Sequence, residues 1–238
     1  MDDDLTPLPL VLMYHSVEAY ESDPYQVTVH PRRFDRQLRW LRRRGLRGVS
    51  MAELLGARRA GRGDGLVGLT FDDGYADFGT EVLPALRRYG CTATVFVVAD
   101  GLGDHNTWDM PGPRKALMTA DDVRRVADAG VEIGSHSLTH VRLNEVSDDE
   151  LADQVGRSRV LLTEVTGRAV SGFCYPYGAA GEREIKHVEA AGYEYACSVH
   201  GSELNGRHAI PRAFIGDRDN AVRLLAKVAR HRLTSRAA

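Results

Sequence analysis

Residues 67–74 read VGLTFDDG, a strand-like run joined directly to two carboxylates. The apolar run at 67–71 has strand length, Asp72 and Asp73 come after it without a break, and Gly74 permits a tight exit. Adjacent side chains at a strand end point in different directions. One carboxylate is therefore able to bind a metal ion while its neighbour faces a substrate, although Asp-Asp-Gly is also good turn chemistry.

The rest of the chain alternates strand-like runs with helical segments. Strand-like runs occur at residues 10–14, 67–71, 92–98, 131–133, 170–175, 193–198 and 209–214. Helical segments lie between them, opened by Pro31, Thr119 or Ser147 and mostly ended by glycines. The alternation predicts one α/β domain over residues 1–238, with a mostly parallel sheet, open or closed into a barrel, and helices outside it. Functional side chains are then expected at the carboxyl ends of the strands.

A second candidate group comes after the strand predicted at 131–133, in the stretch GSHSLTH. The spacing of His136 and His140 predicts that both imidazoles lie on the same side of one helical turn. With a strand-end carboxylate they make a two-histidine, one-carboxylate set that leaves positions for water, the pattern of a catalytic metal site. Zn²⁺ is the first expectation, and Co²⁺, Ni²⁺ or Fe²⁺ also suit such a site.

Composition excludes several classes of function. The net charge of −2 and the sequence pI near 6.5 give no electrostatic footprint for nucleic acid. Arginine runs at 32–47 and 58–62 are interpreted as solvated helix faces. Three separated cysteines without a CxxC pair argue against a disulfide framework, and no apolar run is long enough to span a bilayer. The acidic start lacks the features of a signal peptide, so we expect a cytoplasmic protein, or an extracellular one if a leader precedes this sequence.

Three stretches together resemble a known family. TFDDG at 70–74, HSLTH at 136–140 and PYG at 176–178 are similar to the first three motifs of the polysaccharide deacetylases, also called NodB-homology proteins or carbohydrate esterase family 4. The resemblance runs from about residue 10 to residue 212. It implies a distorted (β/α) barrel of about seven parallel strands. It also implies a metal-dependent amide hydrolase that removes N-acetyl groups from N-acetylhexosamine units of a glycan and releases acetate.

The same resemblance assigns roles to individual residues. It makes Asp73, His136 and His140 the metal ligands and Asp72 the general base. It implies that Tyr177 contributes its backbone N–H to an oxyanion hole.

The order of the motifs departs from that of many members. The opening VLMYHSV resembles a branch with circularly shifted order, in which the strand with the catalytic acid stands first, and this makes His15 the candidate acid. Many members have an arginine at the position of Cys174, where it braces the base, and Arg212 is our candidate substitute. Neither an Asp-Trp motif nor a Leu-x-His motif occurs near the C-terminus.

Two alternatives to a polymer deacetylase stay open at this point. One is a de-N-acylase acting on a small or lipid-linked amino sugar. The other is a non-catalytic carbohydrate-binding relative, which would be expected to lose a ligand or the base, whereas this chain keeps all four residues. Trp108, in the irregular loop at 100–115, is either a platform for a sugar ring or a packing residue.

Overall fold

The structure, a computed structural model, describes residues 5–199 and 204–234, except for the side chains at 232 and 234. The strands in chain order are β1 (Val11–Tyr14), β2 (Ser16–Val17), β3 (Thr28–Val29), β4 (Arg47–Val49), β5 (Leu66–Phe71), β6 (Thr94–Val97), β7 (Glu132–Ser135), β8 (Gly172–Cys174), β9 (Tyr195–Ser198), β10 (Ile210–Pro211) and β11 (Ala213–Phe214). The α-helices are α1 (Pro31–Arg43), α2 (Met51–Arg59), α3 (Leu83–Tyr89), α4 (Ala120–Asp128), α5 (Asp148–Thr166), α6 (Glu182–Ala190) and α7 (Ala221–Thr234).

Within the described residues, one sheet of nine strands makes up the body of the protein. Its order is β10-β9-β8-β7-β6-β5-β1-β11, with β4 beside β5, and every pair is parallel. The two edge strands, β10 and β11, are separated in sequence only by Arg212. The chain itself therefore bridges the gap, and the sheet is nearly closed into a barrel with helices around it. This confirms the predicted (β/α) barrel. β2 and β3 form a separate two-stranded sheet.

The strand predicted at residues 209–214 is divided into two short strands at Arg212. β10 pairs with β9, whereas β11 pairs with β1 on the opposite edge. The chain changes partners at this point, where the side chain of Arg212 is buried and bonded across the barrel. Pro211 has no N–H to continue a ladder, which suits a residue at the end of a strand.

The helix boundaries agree with local signals in the sequence. Thr119 and Asp122 form a reciprocal capping box at the start of α4, and Ser147 accepts the Glu150 N–H at the start of α5. Gly167 ends α5 in the left-handed conformation. α3 is preceded by a π-helical turn, Phe78–Val82, and Pro84 lies in the first turn of α3, where a proline is tolerated. No helix in the described ranges combines the length and apolarity needed to cross a bilayer.

The parallel register brings the ends of several strands to one edge of the barrel. Tyr14 at the end of β1 pairs with Phe71 at the end of β5, and Ser135 at the end of β7 pairs with Phe173 in β8. The rings of Tyr14 and Phe71 stack with centroids 5.2 Å apart and pack against α1 through Phe34. The residues directly after these strands are thus held at one end by a rigid apolar core.

The interior of the barrel predicts a strong effect of one glycine substitution. A Cβ added at Gly134, in β7, would overlap the ring of the buried Phe96 and lie 3.2 Å from the Gly172 carbonyl oxygen. We expect Gly134→Ala to lower the free energy of unfolding by about 1–3 kcal/mol, because a close-packed core does not accept added volume. Urea unfolding monitored by circular dichroism measures this change.

The matched control is Gly156→Ala in α5, where no atom lies within 4 Å of the added Cβ. This variant should be more stable than the parent by about 0.5–1 kcal/mol, because alanine loses less backbone entropy in a helix. Equal effects of the two substitutions would contradict the packing explanation.

Candidate metal centre and active site

Three buried side chains converge at the carboxyl end of the barrel. Oδ1 of Asp73 lies 3.4 Å from Nε2 of His136 and 3.3 Å from Nε2 of His140. Neither contact has hydrogen-bond geometry, and Oδ1 makes no hydrogen bond to any described residue. Metal bonds of about 2.0–2.1 Å at a tetrahedral angle would place two ligand atoms about 3.3 Å apart. The three atoms therefore fit a divalent metal ion.

The imidazole of His136 is oriented by the backbone of the neighbouring strand. Its Nδ1 donates to the carbonyl oxygen of Cys174 at 2.8 Å. A carbonyl oxygen only accepts, so this bond places a proton on Nδ1 and orients Nε2 toward Asp73. Burial lowers the pKa of His136, but the neighbouring Cys174 and Asp73 more than offset it, and the net pKa lies well above the ordinary value.

His140 is held by aromatic packing. Its ring stacks on Trp108, with centroids 4.3 Å apart and an interplanar angle of 20°, and it meets the edge of Tyr177 at 4.8 Å. Burial lowers the pKa of His140 below its ordinary value. One face of Trp108 is thus used to pack against a candidate ligand, which favours the packing interpretation of this residue.

The prediction that both histidines share a helical turn was wrong. Residues 136–140 form a loop in which Ser137 (φ 66°) and His140 (φ 61°) adopt left-handed backbone conformations. Gln154 of α5 holds this loop, because its Oε1 accepts the N–H groups of Leu138 and Thr139 at 3.1 and 3.0 Å. The imidazoles converge because hydrogen bonds from a distant helix shape the loop.

Asp72, the candidate base, is bonded to Arg212 in a bidentate pair. The two guanidinium nitrogens lie 2.6 and 2.8 Å from Oδ1 and Oδ2, and both side chains are buried. Arg212 also donates to Oγ1 of Thr70 at 3.1 Å and to the carbonyl oxygen of Ser198 at 3.1 Å. Burial raises the pKa of Asp72, but the Arg212 guanidinium more than offsets it and holds the pKa below the ordinary value.

Cys174 lies where the resemblance leads one to expect an arginine. Its Sγ is 3.0 Å from a guanidinium nitrogen of Arg212 and 3.6 Å from Oδ2 of Asp72. Burial raises the pKa of the Cys174 thiol, so the sulfur adds no charge beside the carboxylate. The structure thus places a guanidinium from the barrel seam against Asp72, with the small thiol leaving room for it.

His15 lies on the other side of Asp72, immediately after β1. Its Nε2 is 4.0 Å from Oδ2 of Asp72, and its side chain is 16% exposed, which leaves it accessible from the open end of the barrel. The ring lies 6.1 Å from that of Phe214, measured between centroids. The candidate acid and the candidate base, carried on adjacent strands, are therefore neighbours.

A buried polar network that we did not predict holds the segment after His15. The carboxylate of Asp77 accepts the hydroxyl of Ser16 at 2.6 Å and the N–H of Val17 at 2.9 Å. Nζ of Lys115 donates to the same Ser16 hydroxyl at 3.0 Å. The sequence shows Asp77 only as a carboxylate four residues after Asp73. Its partners, Ser16 and Val17, are 61 and 60 positions away in the chain, so no local pattern reveals the network.

Tyr177 comes after β8 in the turn Pro176–Gly178 and has a left-handed backbone at φ 58°. Its half-exposed ring lies under the guanidinium of Arg142, with 4.0 Å between the guanidinium carbon and the ring centroid. Among the described residues, five non-glycine residues have positive φ, and four of them lie here: Asp73, Ser137, His140 and Tyr177. Such conformations cost free energy and cluster where a precise side-chain arrangement is held.

Known proteins resemble this chain in sequence and in fold. A family model described as polysaccharide deacetylase matches residues 59–196. The chain is 26% identical over 207 residues to YxkH of Bacillus subtilis (strain 168), a protein assigned by name to the polysaccharide deacetylases, covering 85% of this chain and 69% of that one. It is 27% identical over 245 residues to the poly-beta-1,6-N-acetyl-D-glucosamine N-deacetylase of Escherichia coli (strain K12), covering 87% of this chain and 36% of that protein.

Among solved structures, the fold matches the Streptococcus pyogenes deacetylase PplD, determined in complex with acetate. The TM-score is 0.77 at 23% identity, covering 92% of this chain and 97% of that one. This likeness establishes the barrel fold, and the family match covers more than half of the sequence. The chain belongs to the polysaccharide deacetylase family.

The buried Asp77 predicts a stability change with pH. Burial raises the pKa of Asp77 from its ordinary value of 3.8 to about 6, against the opposing bonds from Ser16 and Val17. Below pH 3.8 the carboxyl is protonated whether the chain is folded or unfolded, so it costs nothing. Between pH 3.8 and about 6 the unfolded chain loses this proton while the folded chain keeps it, so the stability falls by up to about 3 kcal/mol and stays lowered above pH 6.

Asp77→Asn removes that cost. The free energy of unfolding of the variant minus that of the parent should therefore increase by up to about 3 kcal/mol between about pH 4 and pH 7.5. Urea titrations at several pH values measure it, with Asp64→Asn in the loop before β5 as the control. A difference that stays constant across this range would contradict the assignment of the titration to Asp77.

Proposed function

We propose that this protein hydrolyses the acetamide of N-acetylhexosamine units in a glycan and releases acetate and a free amino sugar. The observation that carries the proposal is the pairing of two unlike carboxylates at one strand end. Asp73 faces two imidazole nitrogens at metal-ligand spacing, while Asp72 is held by Arg212. A metal site beside a carboxylate that is not a ligand is the arrangement that metal-assisted amide hydrolysis requires.

In this proposal Asp73, His136 and His140 hold a divalent ion, with Zn²⁺ as the first candidate and Co²⁺, Ni²⁺ or Fe²⁺ as alternatives. When bound, such an ion polarises the amide carbonyl and lowers the pKa of water. Asp72 accepts a proton from the attacking water, because it is ionised at neutral pH and already fixed in position. The bidentate bonds to Arg212 would keep the Asp72 carboxylate directed away from the three ligand atoms.

The remaining residues act on the carbonyl oxygen and on the leaving amine. The backbone N–H of Tyr177, whose ring meets that of His140, would donate to the oxygen as negative charge develops on it. His15 would protonate the departing amine, since an amine leaves poorly as an anion. Nε2 of His15 lies 4.0 Å from Oδ2 of Asp72. The proton that Asp72 takes from water would then replace the proton that His15 gives to the amine.

A non-catalytic carbohydrate-binding role is less well supported by this arrangement. A protein that only binds sugar does not need three converging ligand atoms beside a carboxylate that is not a member of that set. A buried charge pair of this kind is expensive to form. Its retention favours an enzyme.

One pair of variants separates the metal ligand from the base. His136→Ala should release most of the bound metal, whereas Asp72→Asn should keep it and lose at least about 100-fold in kcat. Elemental analysis of the purified variants and acetate release from GlcNAc oligomers measure the two properties. Normal activity of Asp72→Asn would remove Asp72 from the base role, and normal metal content in His136→Ala would remove His136 from the ligand set.

A further variant tests the acid. His15→Ala should lower kcat by about 100-fold or more and leave KM nearly unchanged, because proton transfer to the leaving amine occurs only in the transition state. His187→Ala in α6 is the control and should behave as the parent. A rise in KM at constant kcat would instead assign His15 to substrate binding.

The substrate is tested by measuring acetate release, with and without a chelator, from GlcNAc oligomers, nucleotide sugars and lipid-linked GlcNAc. Activity that is lost with the chelator and restored by a divalent ion on any of these supports the proposal. No acetate release from any of them by the metal-loaded protein would refute it.

A further inference from the structure

Helix α7 exposes an apolar face to solvent. Its opposite face is buried through Leu224 and Val228, so the helix is already packed on the barrel. The exposed apolar side chains, called here the apolar stripe, are Val222, Leu225, Ala226, Ala229 and Leu233. At 3.6 residues per turn they lie within about 100° around the helix axis. Val222 and Leu233 are each 74% exposed, which is unusual for large apolar side chains aligned on one face.

A groove rich in arginine lies between α1 and α7. Its volume is about 300 Å³, and we call it the arginine groove. The arginines that line it all come from α1 and are Arg33, Arg36, Arg39 and Arg43. Arg39 is paired with Asp35, but the other three make no ion pair with any described residue. The carboxylate that lines the groove, Asp219, is already bonded to Lys227 and to the N–H of Gly216.

The two helices form one continuous surface. Gln37 of α1 donates to the carbonyl oxygens of Gly216 and Asp219 at 3.2 and 3.0 Å, which fastens α1 to the segment that leads into α7. α7 itself contains no acidic residue, and Arg223 makes no ion pair within the described part of the chain. Trp40, partly buried at the groove, carries Arg44 over its ring. The apolar stripe therefore has Arg223 on one side and, on the other, the arginine groove, which is lined on α7 by Ala221 and Leu224.

We propose that α1 and α7 dock on the surface of an anionic phospholipid bilayer. The apolar stripe would enter the boundary between headgroups and acyl chains, and the arginine groove would receive lipid phosphates. An exposed apolar helix face bordered by cationic side chains is the signature of a helix lying in the membrane interface. Arginine forms bidentate bonds with phosphate, which suits a groove of this composition.

Local charge distinguishes this partner from others. The whole chain carries a net charge of −2, so the attraction comes from the asymmetry of this one face. A second copy docked through the same stripe would bring the unpaired arginines of both copies together. A polyanion such as a nucleic acid would match the arginines but would leave the apolar stripe in water.

The location of the docking face relates it to the active site. β11, next to the candidate acid through Phe214, leads into α7 by a short loop, and α1 begins directly after β3. Both helices therefore start at the end of the barrel where the candidate residues lie. Docking would bring that end close to the boundary between membrane and water. The inference concerns binding alone and does not depend on the proposed hydrolysis.

Co-sedimentation of the full chain with vesicles tests the proposal. We expect binding to vesicles of equal parts phosphatidylcholine and phosphatidylglycerol, little binding to phosphatidylcholine alone, and weakening with added salt. Neutralising arginines in Arg36→Gln and Arg43→Gln should weaken binding by roughly fivefold for each charge removed. The pair Val222→Ser and Leu225→Ser should weaken it by at least about tenfold.

Matched controls lie elsewhere on the surface. Val160→Ser replaces an apolar side chain of α5 that is 56% exposed, and Lys186→Gln neutralises a cation of α6; neither should change binding. An unchanged circular dichroism spectrum shows that each variant folds. These substitutions all lie away from the candidate active site, so loss of binding with retained acetate release separates docking from catalysis.

Three results would overturn the proposal. One is no binding to anionic vesicles, and another is binding that the stripe and groove variants leave unchanged. The third is a dimer in solution that dissociates when the stripe is substituted, which would make the face an interface between copies.

Discussion

The buried ion pair between Asp72 and Arg212 is the interaction on which the rest of the site depends. Arg212 is the single residue between the two edge strands, and its bond to Asp72, directly after β5, ties the seam of the barrel to a strand that lies beyond β1 in the sheet. The same bond fixes the candidate base. Breaking a buried pair from one side leaves an uncompensated charge and costs about 3–5 kcal/mol. The same ion pair therefore contributes to closing the barrel and holds the candidate base in position.

The pair also places two adjacent carboxylates in different electrostatic surroundings. Asp72 and Asp73 share one strand end, and two buried negative charges so close together would raise each other's pKa. Arg212 neutralises the first, while the second faces His136 and His140, which lower its pKa well below the ordinary value despite its burial. The left-handed backbone of Asp73, at φ 72°, turns its side chain away from that of Asp72. Electrostatics and backbone conformation together distinguish the candidate ligand from the candidate base.

The surface formed by α1 and α7 carries both apolar and basic side chains. The apolar and basic side chains that α1 and α7 leave exposed lie on the outside of the barrel, where the fold has no need of them. The sequence alone predicts that the arginines of α1 form a solvated helix face, as most runs of this kind do. Only the packing of α7 beside α1 places these arginines next to the apolar stripe. This combination is the basis for proposing an anionic bilayer as the partner.

The sequence by itself determined the fold class, because alternation of strand and helix patterns admits few arrangements and the Asp-Asp and His-Ser-Leu-Thr-His stretches fall at strand ends. It also singled out Asp72, Asp73, His136 and His140, since their chemistry shows in the residue types alone.

Tertiary structure decided the features that depend on contacts distant in the chain. It divided the last strand at Arg212 and set that guanidinium against Asp72, 140 residues away in sequence. It shaped the loop of His140 through Gln154, and fastened the segment after His15 through Asp77 and Lys115. Local patterns report backbone preference and periodicity, whereas these bonds exist only once closure of the barrel has brought separate strand ends together.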